Sequence, residues 1–406
     1  MAEPLAGVRV LEVAMYGFVT SAGAVLSDWG AEVLKVEHAV TGDPQRGLRR
    51  TGSFVVEGDL NPNVEHPNRG KRSIGLDISV PSGRAVLDDL VKQADVFLTS
   101  LLPSSRRRFR IDVDDIRATN PDVVYARGSA LGPRGVEADR GGYDMTAFWA
   151  RASTAASITP PDVDGMITPP APAYGDTISG TNLAGGIAAA LFARERTGEA
   201  PVVDVSLLGS GLWAMGAAID ASLLLQRPWA APPTGSLGSR NPLSALYRTA
   251  DGRYLSFVML QAARYWAEVC HHVGRPDLAD DPRFADAESI DAHAEEAAGL
   301  LREAIAAEPL SYWVPRLATL TGPWAPVQDT LQVAVDPQVT GNGYIATVVG
   351  DDGGEYPLVT SPVQFDERPP ELSRAPQFAE HTEQVLTDLG LDWDQILALK
   401  VEGAVT

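Results

Sequence analysis

The sequence predicts an α/β fold dominated by a doubly wound parallel sheet, with a smaller α+β unit following it in the chain. Over the first 130 residues, short apolar runs alternate with helix-like segments, the pattern of strand–helix–strand units. At 406 residues the chain exceeds the size that one core usually serves, so two domains are expected. A Pro/Gly/Ser stretch at 228–242 supplies a boundary between them.

Each element has a local reason. Residues 8–13 and 32–37 are short runs rich in valine and read as strands, with a helix at 19–29 between them. A loop over 38–70 carries Gly, Pro, Asn and Arg, and unstructured connections of that length are usually functional or disordered. A strand at 73–77 follows, then a helix at 81–93 opened by proline. Strands at 96–99 and 123–126 flank a helix at 112–119, and the second of them ends in the loop 128–142. After Asp176 a helix runs to about 196, followed by a strand at 202–205 and an apolar helix at 207–225. In the second unit Asp251-Gly252 closes a hairpin between 245–248 and 254–257. Helices are expected at 262–273, 292–307 and 311–319, and the tail from 326 holds strands, a proline-rich stretch and a final helix at 382–389.

Composition narrows the function classes. With 45% hydrophobic and 21% charged residues, the chain can bury cores and reads as soluble and globular. Its net charge of -20 argues against non-specific binding to nucleic acid or anionic membranes, so a polyanionic ligand needs a local basic pocket. Cys270 is the single cysteine, which excludes an intrachain disulfide and suits a reducing cytoplasm. The start, Met1-Ala2-Glu3-Pro4-Leu5, lacks the basic and apolar regions of a signal peptide. Residues 207–225 are long enough for a membrane span, but their Gly/Ala content and Asp220 suit a buried or dimer-interface helix. The six histidines show no ligand spacing, so no metal is expected.

The first strand-to-helix turn, Ala14-Met15-Tyr16-Gly17-Phe18-Val19, lacks the glycine pattern of a dinucleotide site, and no Walker A sequence occurs. Ligands are still expected beyond the carboxyl ends of the strands. Arginines and lysines gather near those ends: Arg46, Arg49 and Arg50; Arg69, Lys71 and Arg72; Arg106, Arg107, Arg108 and Arg110. They are suited to phosphates, or they balance neighbouring carboxylates; both readings are open. Asp176, in Tyr174-Gly175-Asp176-Thr177, also has two readings. It is a helix N-cap, or a carboxylate nucleophile kept ionised by the helix end, with Gly175 and Gly180 offering space and N–H donors to an oxyanion. Tyr143, Phe148, Trp149 and Met166 are candidates for an acyl pocket or for core.

The order and spacing of several segments resemble family III CoA-transferases, the group of formyl-CoA transferase, the carnitine CoA-transferases and the racemase branch with alpha-methylacyl-CoA racemase. The carriers include Asp28-Trp29-Gly30-Ala31-Glu32-Val33, Gly42-Asp43-Pro44, Asn68-Arg69-Gly70-Lys71-Arg72-Ser73, Gly142-Tyr143-Asp144, Tyr174-Gly175-Asp176 and Asp281-Pro282-Arg283-Phe284, and the likeness spans almost the whole chain. The resemblance implies a Rossmann-like large domain built from both chain ends, 1–227 and 326–406, around a small domain at 228–325. It also implies an interlocked, ring-like homodimer. The substrates would be acyl-CoA and a small carboxylic acid, with no prosthetic group or metal and no nucleic-acid or membrane partner. Asp176 would be the covalent catalytic residue. By position, Arg46, Lys71 and Arg108 would meet the CoA phosphates or adenine, and Tyr16, Gly17 and Phe18 would lie along the pantetheine. Arg72, Ser100 and Tyr143 complete the expected CoA site.

Three departures from the family pattern bear on function. Tyr143 stands where the racemase branch has histidine, and a phenol is a poor general base at neutral pH, which disfavours racemisation against transfer. Ser100 replaces an asparagine that would bond CoA, and Leu102 an arginine, so Arg106 and Arg107 would have to compensate. The glycine-rich lid of some transferases is reduced to Gly235-Ser236-Leu237-Gly238-Ser239. The expected activity is acyl-CoA:carboxylate CoA transfer; the alternatives are an alpha-methylacyl-CoA racemase-type enzyme and a non-catalytic CoA-binding protein.

Overall fold

The computed structural model describes residues 3–52, 54–58 and 60–406. The chain folds into two compact units, one of 1–156, 167–229 and 337–406, the other of 157–166 and 230–336.

The first unit is built on six parallel strands: β1 (Arg9–Val13), β2 (Glu32–Glu37), β3 (Arg72–Gly75), β4 (Val96–Thr99), β5 (Val124–Ser129) and β6 (Val202–Ser206). Their spatial order is β3-β2-β1-β4-β5-β6, with Leu11 registered between Leu34 and Phe97. This is the doubly wound order, and its direction reverses between β1 and β4, where such sheets place their ligands. One face is covered by α1 (Phe18–Asp28) and α2 (Tyr174–Thr197), whose Val19, Leu26, Leu183 and Ile187 meet Val10, Leu98 and Val124 in a common core. On the other face Leu87, Val91, Ile116, Val385 and Ile396 pack on Leu11, Phe97 and Tyr125. The C-terminal segment is therefore part of this sheet's cover. It is anchored where Thr382 Oγ1 accepts from Gly75 N at 3.1 Å and Ala404 O from Asp77 N at 2.8 Å.

The second unit holds a three-stranded antiparallel sheet, Ser244–Arg248, Tyr254–Val258 and Trp324–Pro326, under the helices Ala262–His272, Ala294–Ala306 and Leu310–Leu317. Tyr247, Phe257, Trp266, Leu301 and Trp313 form its core. It extends past the expected boundary at 325 because Trp324–Pro326 pairs with the hairpin and Gln332 Oε1 accepts from Arg253 at 2.6 Å.

Four expectations change. The loop at 38–70 contains a 3-10 turn, Pro44–Gly47, capped by Asp43, and a helix, Pro62–Asn68, capped by Asn61. Both starts carry the Asx-then-Pro signature of a helix N-terminus. The apolar helix is two helices, Leu207–Ala214 and Gly216–Leu225, bent by 70°; no single helix among the described residues is long and apolar enough to cross a membrane. The helix Pro103–Phe109 follows β4, and Trp393–Val401, started by an Asp392–Gln395 capping box, follows the helix expected to be last.

Candidate active site

At the reversal point of the sheet the turn after β1 meets the segment after β4, joined by a hydrogen bond from Met15 N to Ser100 Oγ (3.0 Å). A cleft of about 770 Å³ opens here. Its wall is formed by Met15, Tyr16 and Phe18 after β1, Ser100 to Leu102 after β4, Gly128 to Leu131 at the end of β5, and the segment from Arg140 to Tyr143. Asp176 is the one carboxylate among its described lining residues. A smaller cavity of about 300 Å³, beyond the ends of β1, β2 and β3, shares Met15 and Leu101 with the cleft, so the two adjoin.

Asp176 does not cap its helix. Ala173, in the left-handed region at φ +53°, occupies the N-cap without a side-chain bond, and Asp176 sits in the first turn. Its carboxylate faces the backbone of Gly17 so closely that a Cβ there would lie 2.7 Å from Oδ2, so any side chain at 17 would have to displace the carboxylate. Burial pushes its pKa up to about 7, and the charge of Asp144 adds to the shift. The helix end therefore does not hold this acid in the ordinary carboxylate range; burial and a like charge prevail. A reaction that uses the carboxylate is expected to gain about tenfold in kcat/KM per pH unit up to about 7 and to level off above it. A pH–rate profile flat from pH 5 to 8 would contradict this role.

The glycines near Asp176 are packing positions. A Cβ on Gly175 would meet Phe148 Cγ at 2.6 Å, and one on Gly180 would meet Ser21 Cβ at 2.7 Å and Phe18 O at 2.8 Å, so they let α2 lie against its neighbours. The Gly175 N–H donates to Asp144 Oδ2 at 3.3 Å and is not free for an oxyanion. Across the cleft, the Tyr16 ring meets Tyr143 edge-on at 5.3 Å, and the hydrogen bond between them raises the Tyr16 pKa, with burial adding to it. Among the described residues no cluster of His, Cys, Asp or Glu could hold a metal ion.

The family model for CoA-transferase family III matches residues 5–382. The chain belongs to CoA-transferase family III. It is 28% identical to (R)-2-hydroxy-4-methylpentanoate CoA-transferase of Clostridioides difficile, over 97% of each chain. With succinate–glutarate CoA-transferase of Agrobacterium fabrum it shares 30%, over 95% of this chain and 96% of that one. The crystal structure of a CAIB/BAIF family protein from Brucella suis superposes with a TM-score of 0.80 at 25% identity, covering 96% of this chain and all of the other. The protein is thus a transferase enzyme of a family whose members use CoA thioesters as substrates.

Within this CoA-transferase the expected site residues separate into two groups. Tyr16, Phe18, Ser100, Tyr143 and Asp176 line the large cleft, Gly17 backs it, and Arg108 lines the smaller cavity, making no ion pair with the described residues. Three others line neither cavity. Arg46 is held by Glu37 through Nε (2.8 Å) and Nη2 (2.6 Å), and Arg72 pairs with Asp388 on the surface at 3.1 Å. Lys71 is fully buried, bonded to both Glu12 oxygens (2.9 and 2.8 Å) and to Thr20 O (2.8 Å). For these three the structure favours balancing of neighbouring carboxylates over phosphate contact. Arg106 and Arg107 line neither cavity and pair with Asp112 and Asp139. Of the acyl-pocket candidates only Tyr143 lines the cleft; Phe148 and Trp149 are core, and Met166 belongs to the second unit. Sequence reasoning missed Arg140 and Arg151, which line the cleft and share Glu137. Arg151 lies on a π-helix, Met145–Arg151, whose period a search for 3.6-residue spacing does not detect.

Proposed function

We propose that the enzyme is an acyl-CoA:carboxylate CoA-transferase carrying its acyl group covalently on Asp176, and that it works in the cytoplasm as an interlinked homodimer. The observation that supports this most is the placement of Asp176 as the sole carboxylate among the described lining of the large cleft, at the ligand-binding edge of the sheet. The Asp176 carboxylate attacks the thioester carbonyl; the C–S bond breaks, leaving a mixed anhydride and CoA thiolate. The thiolate attacks the aspartyl carbonyl of the anhydride, releasing the first carboxylic acid and forming an aspartyl-CoA thioester. The acceptor carboxylate repeats the first step on this thioester, and the thiolate then takes the new acyl group, restoring Asp176. Each step exchanges one activated acyl bond for another, so the chemistry calls for no redox cofactor.

The adjoining cavities suit a long substrate. The CoA nucleotide would occupy the smaller cavity, with Arg108 beside its phosphates, and the pantetheine would pass Met15 and Leu101 to bring the sulfur to Asp176. Met15, Phe18, Leu101, Leu102 and Leu131 would receive the acyl chain, in keeping with the small carboxylic acids named for the relatives. Racemisation is not favoured: the only described side chain of the cleft able to act as a base near neutral pH is Asp176, and Tyr143 stands where a second base is needed. Exposed Trp213, Leu223 and Leu224 on the bent helix pair support a dimer.

Mass spectrometry after hydroxylamine treatment in the presence of acyl-CoA tests the proposal, and a modified Asp176 is the expected result. Label exchange between acyl-CoA and free acid without any modification of Asp176 would overturn it. Arg108→Ala is expected to weaken CoA binding about tenfold in calorimetry; unchanged affinity would move the phosphates elsewhere.

A further inference from the structure

Tyr16 sits in the left-handed region, at φ +65°, where a residue other than glycine is strained. The next residue, Gly17, carries the backbone on which the Asp176 carboxylate rests. A strained turn persists only where its surroundings over-determine it, and this one is fixed from several directions. The Tyr16 N–H donates to Asp43 Oδ1 (3.2 Å) and the Met15 N–H to Ser100 Oγ (3.0 Å). The Ala14 carbonyl accepts from Lys35 Nζ (2.9 Å). The Tyr16 carbonyl accepts from the Thr20 hydroxyl, which also approaches Gly17 O at 3.1 Å.

The anchors are tied to one another. Lys35 Nζ lies 2.8 Å from Asp43 Oδ2 and 3.3 Å from Glu12 Oε1, and Glu12 in turn holds Lys71 at 2.8 Å. These side chains are between 0% and 1% exposed. Taking four charges out of water is costly, and apolar packing of the same volume often stabilises a fold as well or better. The cluster therefore calls for a role beyond stability, and its contacts with residues 14 and 16 identify one.

We propose that Lys35 is a positioning residue: through Asp43 and the Ala14 carbonyl it holds the Tyr16–Gly17 turn in the backbone conformation that seats Asp176 for acyl transfer. The inference rests on the reading of Asp176 as the nucleophile. Lys35 lines neither cavity, so its effect on chemistry passes through the turn. Without the anchor, Tyr16 relaxes toward negative φ, and both Gly17 under the carboxylate and the Tyr16 ring against Tyr143 shift.

Two variants separate positioning from folding. Lys35→Met removes the anchor, and Thr20→Val removes only the hydroxyl on the Tyr16 and Gly17 carbonyls, leaving the charged cluster whole. The donor is whichever of acetyl-, hexanoyl- and succinyl-CoA the wild type uses fastest. Single-turnover hydroxylamine trapping on Asp176 is expected to slow by roughly 10- to 100-fold in Lys35→Met and by about 3- to 10-fold in Thr20→Val, with CoA Kd within about threefold of wild type. Trapping at the wild-type rate in a folded variant overturns the proposal, as does a loss of CoA affinity equal to the loss of rate. If Lys35→Met fails to fold, Thr20→Val decides alone. A wild type that traps no acyl group would instead refute the nucleophile assignment, and the positioning role with it.

Discussion

Asp176→Ala is expected to lower CoA transfer by roughly 10³-fold or more while the protein remains folded and binds CoA. The expectation follows from the geometry. No other described carboxylate lines the cleft, and Asp144, the acid whose charge acts on Asp176, is engaged with the Gly175 N–H. Removing the side chain takes away the proposed acyl acceptor without exposing core, because Asp176 faces the cleft and the Gly17 backbone. Asp176→Asn sharpens the test by keeping the shape. Burial holds the acid of the folded protein near pH 7, above its usual 3.8, so the folded state keeps a proton that the unfolded chain releases. Its contribution to stability is present below about pH 4 and is lost as the pH rises toward 7. The amide escapes that loss, so the inactive asparagine variant should melt higher than wild type at pH 8 and not at pH 4. Residual activity near wild type in either variant would remove Asp176 from the chemistry.

The sequence carried the sheet well because buried parallel strands leave continuous valine-rich runs, as at 9–13, 32–37 and 96–99. The helix start at Tyr174-Gly175-Asp176 was legible too, since it follows from the local sequence whatever the function of Asp176. The roles of the basic residues were less visible. Lys71 and Arg46 follow strands and loops in the same manner as Arg108, yet two of them turn inward to carboxylates while Arg108 turns toward a cavity. Glu12 lies on β1 and reaches Lys71 only through assembly of the sheet, and Glu37, at the end of β2, reaches Arg46 only because the Pro44–Gly47 turn folds back on it. Residue type and spacing do not encode that choice. The same holds for Tyr16, whose left-handed backbone is set by Asp43 and Thr20 and has no signature in a run that reads Met-Tyr-Gly.

Lys71→Met is expected to destabilise the fold by about 3 kcal/mol, seen as a lower midpoint in urea, with CoA affinity within about twofold of wild type. The ammonium has four acceptors within reach: two Glu12 oxygens, Thr20 O at 2.8 Å and Asn68 Oδ1 at 3.2 Å. Its loss leaves Glu12 buried with only Lys35 at 3.3 Å to balance it, a deficit that apolar packing does not repair. Burial also lowers the Lys71 pKa to about 8, against 10.5 for a free lysine, with Glu12 opposing the shift. Between those values the unfolded chain holds the proton more tightly than the folded one, so this residue's contribution to stability rises with pH from about 8 to 10.5. The methionine variant should lack that rise, so the gap between the two proteins in urea should be wider at pH 10 than at pH 7. A variant with wild-type stability and weakened CoA binding would return Lys71 to the substrate site, and the charge cluster under the active-site turn would need another explanation.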